Sequence, residues 1–94
     1  MKEQEGLKKA VALRYNSEQD NAPRVVASGR GAIAEKIITT AREARVPVHR
    51  DTHLAEMLTG LDIGSEIPVE LYQMVAEILV FIYSLDMDAK KLNQ

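Results

Sequence analysis

Ala22-Pro23-Arg24-Val25-Val26-Ala27-Ser28-Gly29-Arg30-Gly31 is the stretch on which the fold turns. Proline and glycine bracket a short apolar run, the pattern of a buried strand bounded by turn formers. Pro23 opens that strand, where a missing N–H costs least, and the strand is expected to run to about Ser28. Gly29 and Gly31 then ease the chain into a helix. Upstream, residues 7–15 read as a first strand. Ala10-Val11-Ala12-Leu13 is a continuous apolar run, of the kind covered on both faces. The polar loop 16–21 is made of turn formers. Two strands joined by so short a loop predict an antiparallel hairpin.

Downstream, Ile33, Ala34, Ile37, Ile38 and Ala41 form a helical stripe, with Glu35, Lys36, Thr39, Arg42 and Glu43 on the wet side. The helix is expected to stop at Arg45, because a residue before proline disfavours the α region. Val46-Pro47-Val48-His49 reads as a short third strand, reached by a right-handed parallel crossover, so the sheet is expected to be mixed. Asp51 or Thr52 caps a second helix with Leu54, Met57 and Leu58 inward, and Gly60 closes it. A turn follows over 61–67. Pro68 then starts a third helix with Glu70 in its positive first turn. Tyr72, Val75, Ala76, Leu79, Ile82 and Tyr83 share one face of that helix. Leu71, Met74, Ile78 and Phe81 widen it beyond a normal surface helix. The expected fold class is α/β: a small mixed sheet of about three strands packed with about three helices, in the order ββαβαα. Residues 1–6 are expected to be flexible, 7–86 to form the domain and 87–94 a polar tail.

Composition bounds the function. The 94 residues are 46% hydrophobic, 28% charged and only 4% aromatic, so one domain with an aliphatic core is expected. A net charge of −2 offers no field for DNA or anionic lipid. With no cysteine, disulfides, zinc thiolates and thiol catalysis are excluded. The acidic N-terminus Met1-Lys2-Glu3-Gln4-Glu5-Gly6 does not have the form of a signal peptide. The longest apolar stretch, 75–83, contains Glu77 and is too short to span a bilayer.

Few motifs carry chemistry. His49 and His53 lie four apart, but a proline-flanked strand is expected to end between them and spacing fixes no third ligand. Gly29-Arg30-Gly31-Ala32-Ile33-Ala34 fits the glycine-rich phosphate pattern, with the permitted alanine at the last position. A phosphate- or nucleotide-binding regulatory domain using the helix N-terminus at Gly29-Arg30-Gly31 is therefore the alternative reading. The acid that should hold a ribose would fall near Asp51, in a helix cap. The serines lack a nucleophile-elbow context, and Glu35 and Glu43 sit on a solvated face with no partner for acid/base work. Lys8, Lys9, Arg24 and Arg30 could make only a small basic patch.

Six segments in order resemble the cytoplasmic C-terminal domain of the FlhB/YscU family of type III export-switch proteins. They are Ala10-Val11-Ala12-Leu13-Arg14-Tyr15, Ala22-Pro23-Arg24-Val25-Val26-Ala27-Ser28-Gly29, Ala34-Glu35-Lys36-Ile37, Val46-Pro47-Val48, Ile67-Pro68-Val69-Glu70-Leu71-Tyr72 and Val75-Ala76-Glu77-Ile78-Leu79. The resemblance implies a small α/β domain that recognises export substrates, or switches which class is exported, without catalysing a reaction on them. It implies flagellar export substrates and export-gate membrane proteins as partners, full-length or truncated FlhB among them. It also implies a cytoplasmic location, peripheral to the export apparatus, and neither cofactor nor metal. Family members cut their own chain at Asn-Pro-Thr-His. Here those positions fall on Glu5, Gly6, Leu7 and Lys8, so the asparagine that would cyclise is missing and self-cleavage is not expected. What stands here corresponds to the piece after the cut and is expected to act as a stand-alone chain. The family's substrate-signal patch maps onto Ala22, Pro23, Ala76 and Leu79. The bland reading of Ala76 and Leu79 is core, since they share a helical stripe with Tyr72 and Val75.

Overall fold

The computed structural model describes residues 8–16 and 18–80. Strand β1 (Lys9–Arg14) and strand β2 (Arg24–Arg30) form an antiparallel pair, the expected hairpin. Lys9 faces Arg30 and Ala12 faces Ala27. The register then slips, so that Leu13 faces Val25 and Val26 is the extra residue of a β-bulge. Strand β2 runs two residues further than its apolar run suggests, which makes Gly29 and Arg30 strand rather than helix approach.

Side chains alternate across the ribbon, and its two faces differ in size. Ala10, Ala12, Ala27 and Gly29 share the smaller face. Helix α1 (Ala32–Glu43) packs there against both strands, with Ala34 fully buried. Val11 and Leu13 point to the other face. They pack on a cluster of Ala22, Leu54, Leu58, Ile67, Leu71 and Val75. Leu54 and Leu58 belong to helix α2 (Thr52–Thr59), whose Asp51 cap accepts from Leu54 N–H at 3.0 Å, as its sequence predicts. Gly60 closes that helix in a right-handed conformation. Pro68 leads into a 3-10 turn (Val69–Leu71), which passes directly into helix α3, residues 72–80.

The expected third strand does not form. Residues 46–50 have no regular structure and the described sheet is two-stranded, so it is antiparallel rather than mixed, and the expected parallel crossover is not formed among the described residues. The physical reason lies at the end of α1. Val46 N–H bonds back to Ala41 C=O and Arg45 N–H to Arg42 C=O, a Schellman arrangement that spends the strand's first donor on the helix. Pro47 then has no donor to give. Instead, residues 64–67 lie along the start of β2. Val25 N–H donates to Ser65 C=O (2.9 Å), Gly64 N–H to Val25 C=O (2.7 Å) and Ile67 N–H to Pro23 C=O (2.9 Å). Ile33 also departs from its expected place in the buried stripe and is 61% exposed, while Ile37, Ile38 and Ala41 are half-buried.

Arg45 occupies the left-handed position of that cap, at φ 62°, where a Cβ is unfavourable. Arg45→Gly is therefore expected to stabilise the domain by about 0.5–1 kcal/mol, read as a rise in the urea midpoint at unchanged slope.

Ser17, Phe81, Ile82, Tyr83 and Ser84, with the expected flexible N-terminus and polar tail in residues 1–7 and 81–94, lie outside the described residues. So do the cleavage-motif positions Glu5, Gly6 and Leu7. Lys8 is described: its C=O accepts Gly31 N–H at 2.7 Å and its ammonium lies 3.8 Å from Glu35.

Candidate peptide groove

Ala22 and Pro23 enter the site because residues 18–23 fold back over one end of the ribbon. Asp20, a buried carboxylate, anchors that loop by accepting Asn16 N–H at 3.2 Å and the Arg24 guanidinium at 3.3 Å. Pro23 C=O is tied to Ile67. Helix α3 enters because Leu71 and Val75 are buried in the main cluster, which orients the rest of the helix. Between loop and helix lies a groove of about 230 Å3, lined by Ala22, Pro23, Val75, Ala76 and Leu79 together with Tyr15, Asn21 and Tyr72.

All four residues assigned to a signal patch thus line one concave surface. Their burial separates the two readings of them. Ala22 is 2% exposed and belongs to the core cluster, so it is the bottom of the groove as well as packing. Leu79 is half-buried against that cluster, and Ala76 is exposed. Ala76 is therefore surface, not core. Sequence reasoning missed Tyr15 and Asn21 as groove residues. Asn21 stands beside Ala22 in the chain, which was a usable signal. Tyr15 follows the last residue of β1, and only the folding back of the loop brings it there. Tyr15 and Tyr72 are both about 40% exposed, each presenting an apolar ring and a polar hydroxyl.

A second cleft, of about 270 Å3, flanks α3 and is lined by His49, Asp51, Met74, Glu77 and Ile78. Asp51 already serves as a helix cap. His49 and His53 are exposed, and no trio of metal-ligating side chains occurs among the described residues. At the glycine turn, Gly31 N–H is spent on Lys8 C=O, so the donor that a phosphate would need most is occupied. Three of the four cations suggested as a basic patch are paired: Lys8 with Glu35, Lys9 with Glu56, and Arg24 with Asp20 and Glu66. No described helix is long and apolar enough to cross a membrane.

Comparison with known proteins agrees with this architecture. The uncharacterized protein YlqH of Bacillus subtilis is 48% identical over 90 residues, which cover 96% of this chain and 97% of that one. The flagellar biosynthetic protein FlhB of Aquifex aeolicus is 45% identical over 74 residues, which cover 78% of this chain but 21% of FlhB. The chain thus spans about a fifth of the length of that relative. Among solved structures, the cytoplasmic domain of FlhB from Shewanella putrefaciens superposes with a TM-score of 0.84 at 30% identity, over 88% of this chain and 65% of that one. The PscU C-terminal domain superposes at 0.74 with 28% identity, over 79% of this chain and 95% of that one. The profile of the FlhB HrpN YscU SpaS family runs through residues 7–82, from β1 across both walls of the groove, and the chain belongs to that family.

Proposed function

We propose that this protein is a non-catalytic component of flagellar type III export. It acts like the part of FlhB that follows the self-cleavage site, in substrate recognition or in switching export specificity. Its ligands are short export signals of flagellar substrates, and its place is the cytoplasmic side of the export gate. The observation that carries this reading is the groove: an apolar concavity with a polar rim, the form that peptide-binding sites take.

A second surface suits the same role. Gly31 N–H bonds to Lys8 C=O, so in the antiparallel alternation Ala10 and Ala12 turn their backbone groups to their partners Gly29 and Ala27, and those of Lys9 and Val11 face away from β2. No described strand covers that edge. A strand of truncated or full-length FlhB could extend the sheet there.

The test is fluorescence polarisation of a labelled N-terminal peptide from a hook-class export substrate against the whole chain and its Ala76→Arg variant. Ala76 is exposed, so the variant should keep its stability within about 0.5 kcal/mol. Its affinity should fall at least about tenfold, because the arginine fills the groove. Wild-type protein that leaves the peptide free at all concentrations defeats the proposal. Ala22 is too buried to serve as a clean probe.

A further inference from the structure

One wall of the groove is helix α3, which holds its own shape through its hydrogen-bond ladder. The other wall, residues 21–23, has no regular structure, so something else must fix it. The flanking residues do so. Arg24 Nε and Nη2 both donate to Asp20 Oδ1, at 3.4 and 3.3 Å, which closes the segment on itself. Nη2 also reaches Glu66 Oε2 at 3.3 Å and Nη1 the Gly64 C=O at 2.6 Å. Glu66 Oε2 in turn accepts the N–H of Asn21, at 3.3 Å. The Asp20 side chain is 4% exposed and those of Arg24 and Glu66 about 30%, so the network is partly shielded from water. None of the three side chains lines the groove itself.

We infer that Asp20, Arg24 and Glu66 are positioning residues for the groove. They hold the 21–23 wall at a set separation from α3 before any ligand arrives, and this preorganisation sets affinity. The inference rests on the peptide-binding reading above. Arginine is required because a planar fork can serve two carboxylates and a carbonyl at once, which a point-charge lysine cannot.

The experiment uses the whole chain, the same labelled peptide, and methyl NMR of Ala22 and Ala76. Arg24→Lys and Glu66→Ala should each weaken the peptide about tenfold, while Glu66→Gln, which keeps an acceptor for Asn21 N–H, should recover part of that loss. In the same two variants the Ala22 methyl resonance should move without peptide. Ile37→Ala, a destabilising change on the α1 side of the sheet, should leave both readouts at wild-type values and so separates positioning from general loss of stability. An unmoved Ala22 methyl in Arg24→Lys and Glu66→Ala overturns the inference, whatever the peptide does. If wild type ignores the peptide while the methyl still moves, the peptide reading falls and the wall's anchoring stands.

Discussion

Gly29→Ala is expected to lower stability by about 3 kcal/mol, which for a domain of this size means a fall in Tm of roughly 12–24 °C. Glycine's freedom of backbone is not the cause. Gly29 sits on the small face of the ribbon, opposite Ala10, where α1 comes closest. A Cβ at that position would lie 2.8 Å from Ile33 Cβ and closer still to its Cγ2. The Cβ of Ile33 is fixed to the helix backbone, so a rotamer change cannot clear the clash. The first turn of α1 must lift off the sheet, and that uncovers Ala34 and Ala10. The cycle with Ile33→Ala checks the cause. Ile33 is largely exposed, so its truncation alone costs little, and the double variant, which removes the nearer Cγ2 contact but keeps the Cβ, should recover part of what Gly29→Ala loses. Additive losses in thermal denaturation would place the strain elsewhere. Gly31 is the complementary case: nothing lies within 4 Å of its would-be Cβ, but φ is 58° with ψ −124°, so alanine there is opposed by the backbone alone.

Leu58→Ala is expected to cost about 3 kcal/mol for a different reason, a cavity. Leu58 is 5% exposed, in the cluster that joins α2 to Ala22, Ile67, Leu71 and Val75. That cluster is the only apolar body under both walls of the groove among the described residues, so its loosening reaches the site as well as the fold. The neighbouring Ile63→Ala, at an exposed position, should stay within about 0.5 kcal/mol of wild type. Chemical denaturation of the two variants side by side separates burial from mere hydrophobicity. A small domain holds only about 5–15 kcal/mol in total, so either core variant removes a large fraction of what there is.

The sequence made the hairpin, α1 and the α2 cap legible for local reasons. Pro23 and the turn formers of 16–21 fix the hairpin within a few residues, and Asp51 needs only Leu54, three positions away, to announce a helix. The third strand misled because Val46-Pro47-Val48 has strand composition, while pairing is decided by which donors remain free, and α1's cap had taken one. Ile33 misled because a stripe predicts only a direction: in the first turn of α1 it is Ala34 that is fully buried, while Ile33, at its flank, stays 61% exposed. The groove was half legible. The resemblance pointed to Ala22, Pro23, Ala76 and Leu79. Neither periodicity nor composition could foretell that an Asp20–Arg24–Glu66 network would join two segments so far apart in the chain, Glu66 lying 42 positions beyond Arg24.

The unequal faces of the ribbon make the domain's tolerance for drift lopsided. On the α2 and α3 side, aliphatic residues of many shapes can be exchanged and repacked over generations, because Leu, Ile and Val fill similar volumes. On the α1 side the spacing is set by methyl groups and a bare hydrogen, and almost any enlargement wedges the layers apart. Close relatives should therefore vary freely beneath the groove while keeping Ala or Gly where helix and ribbon touch.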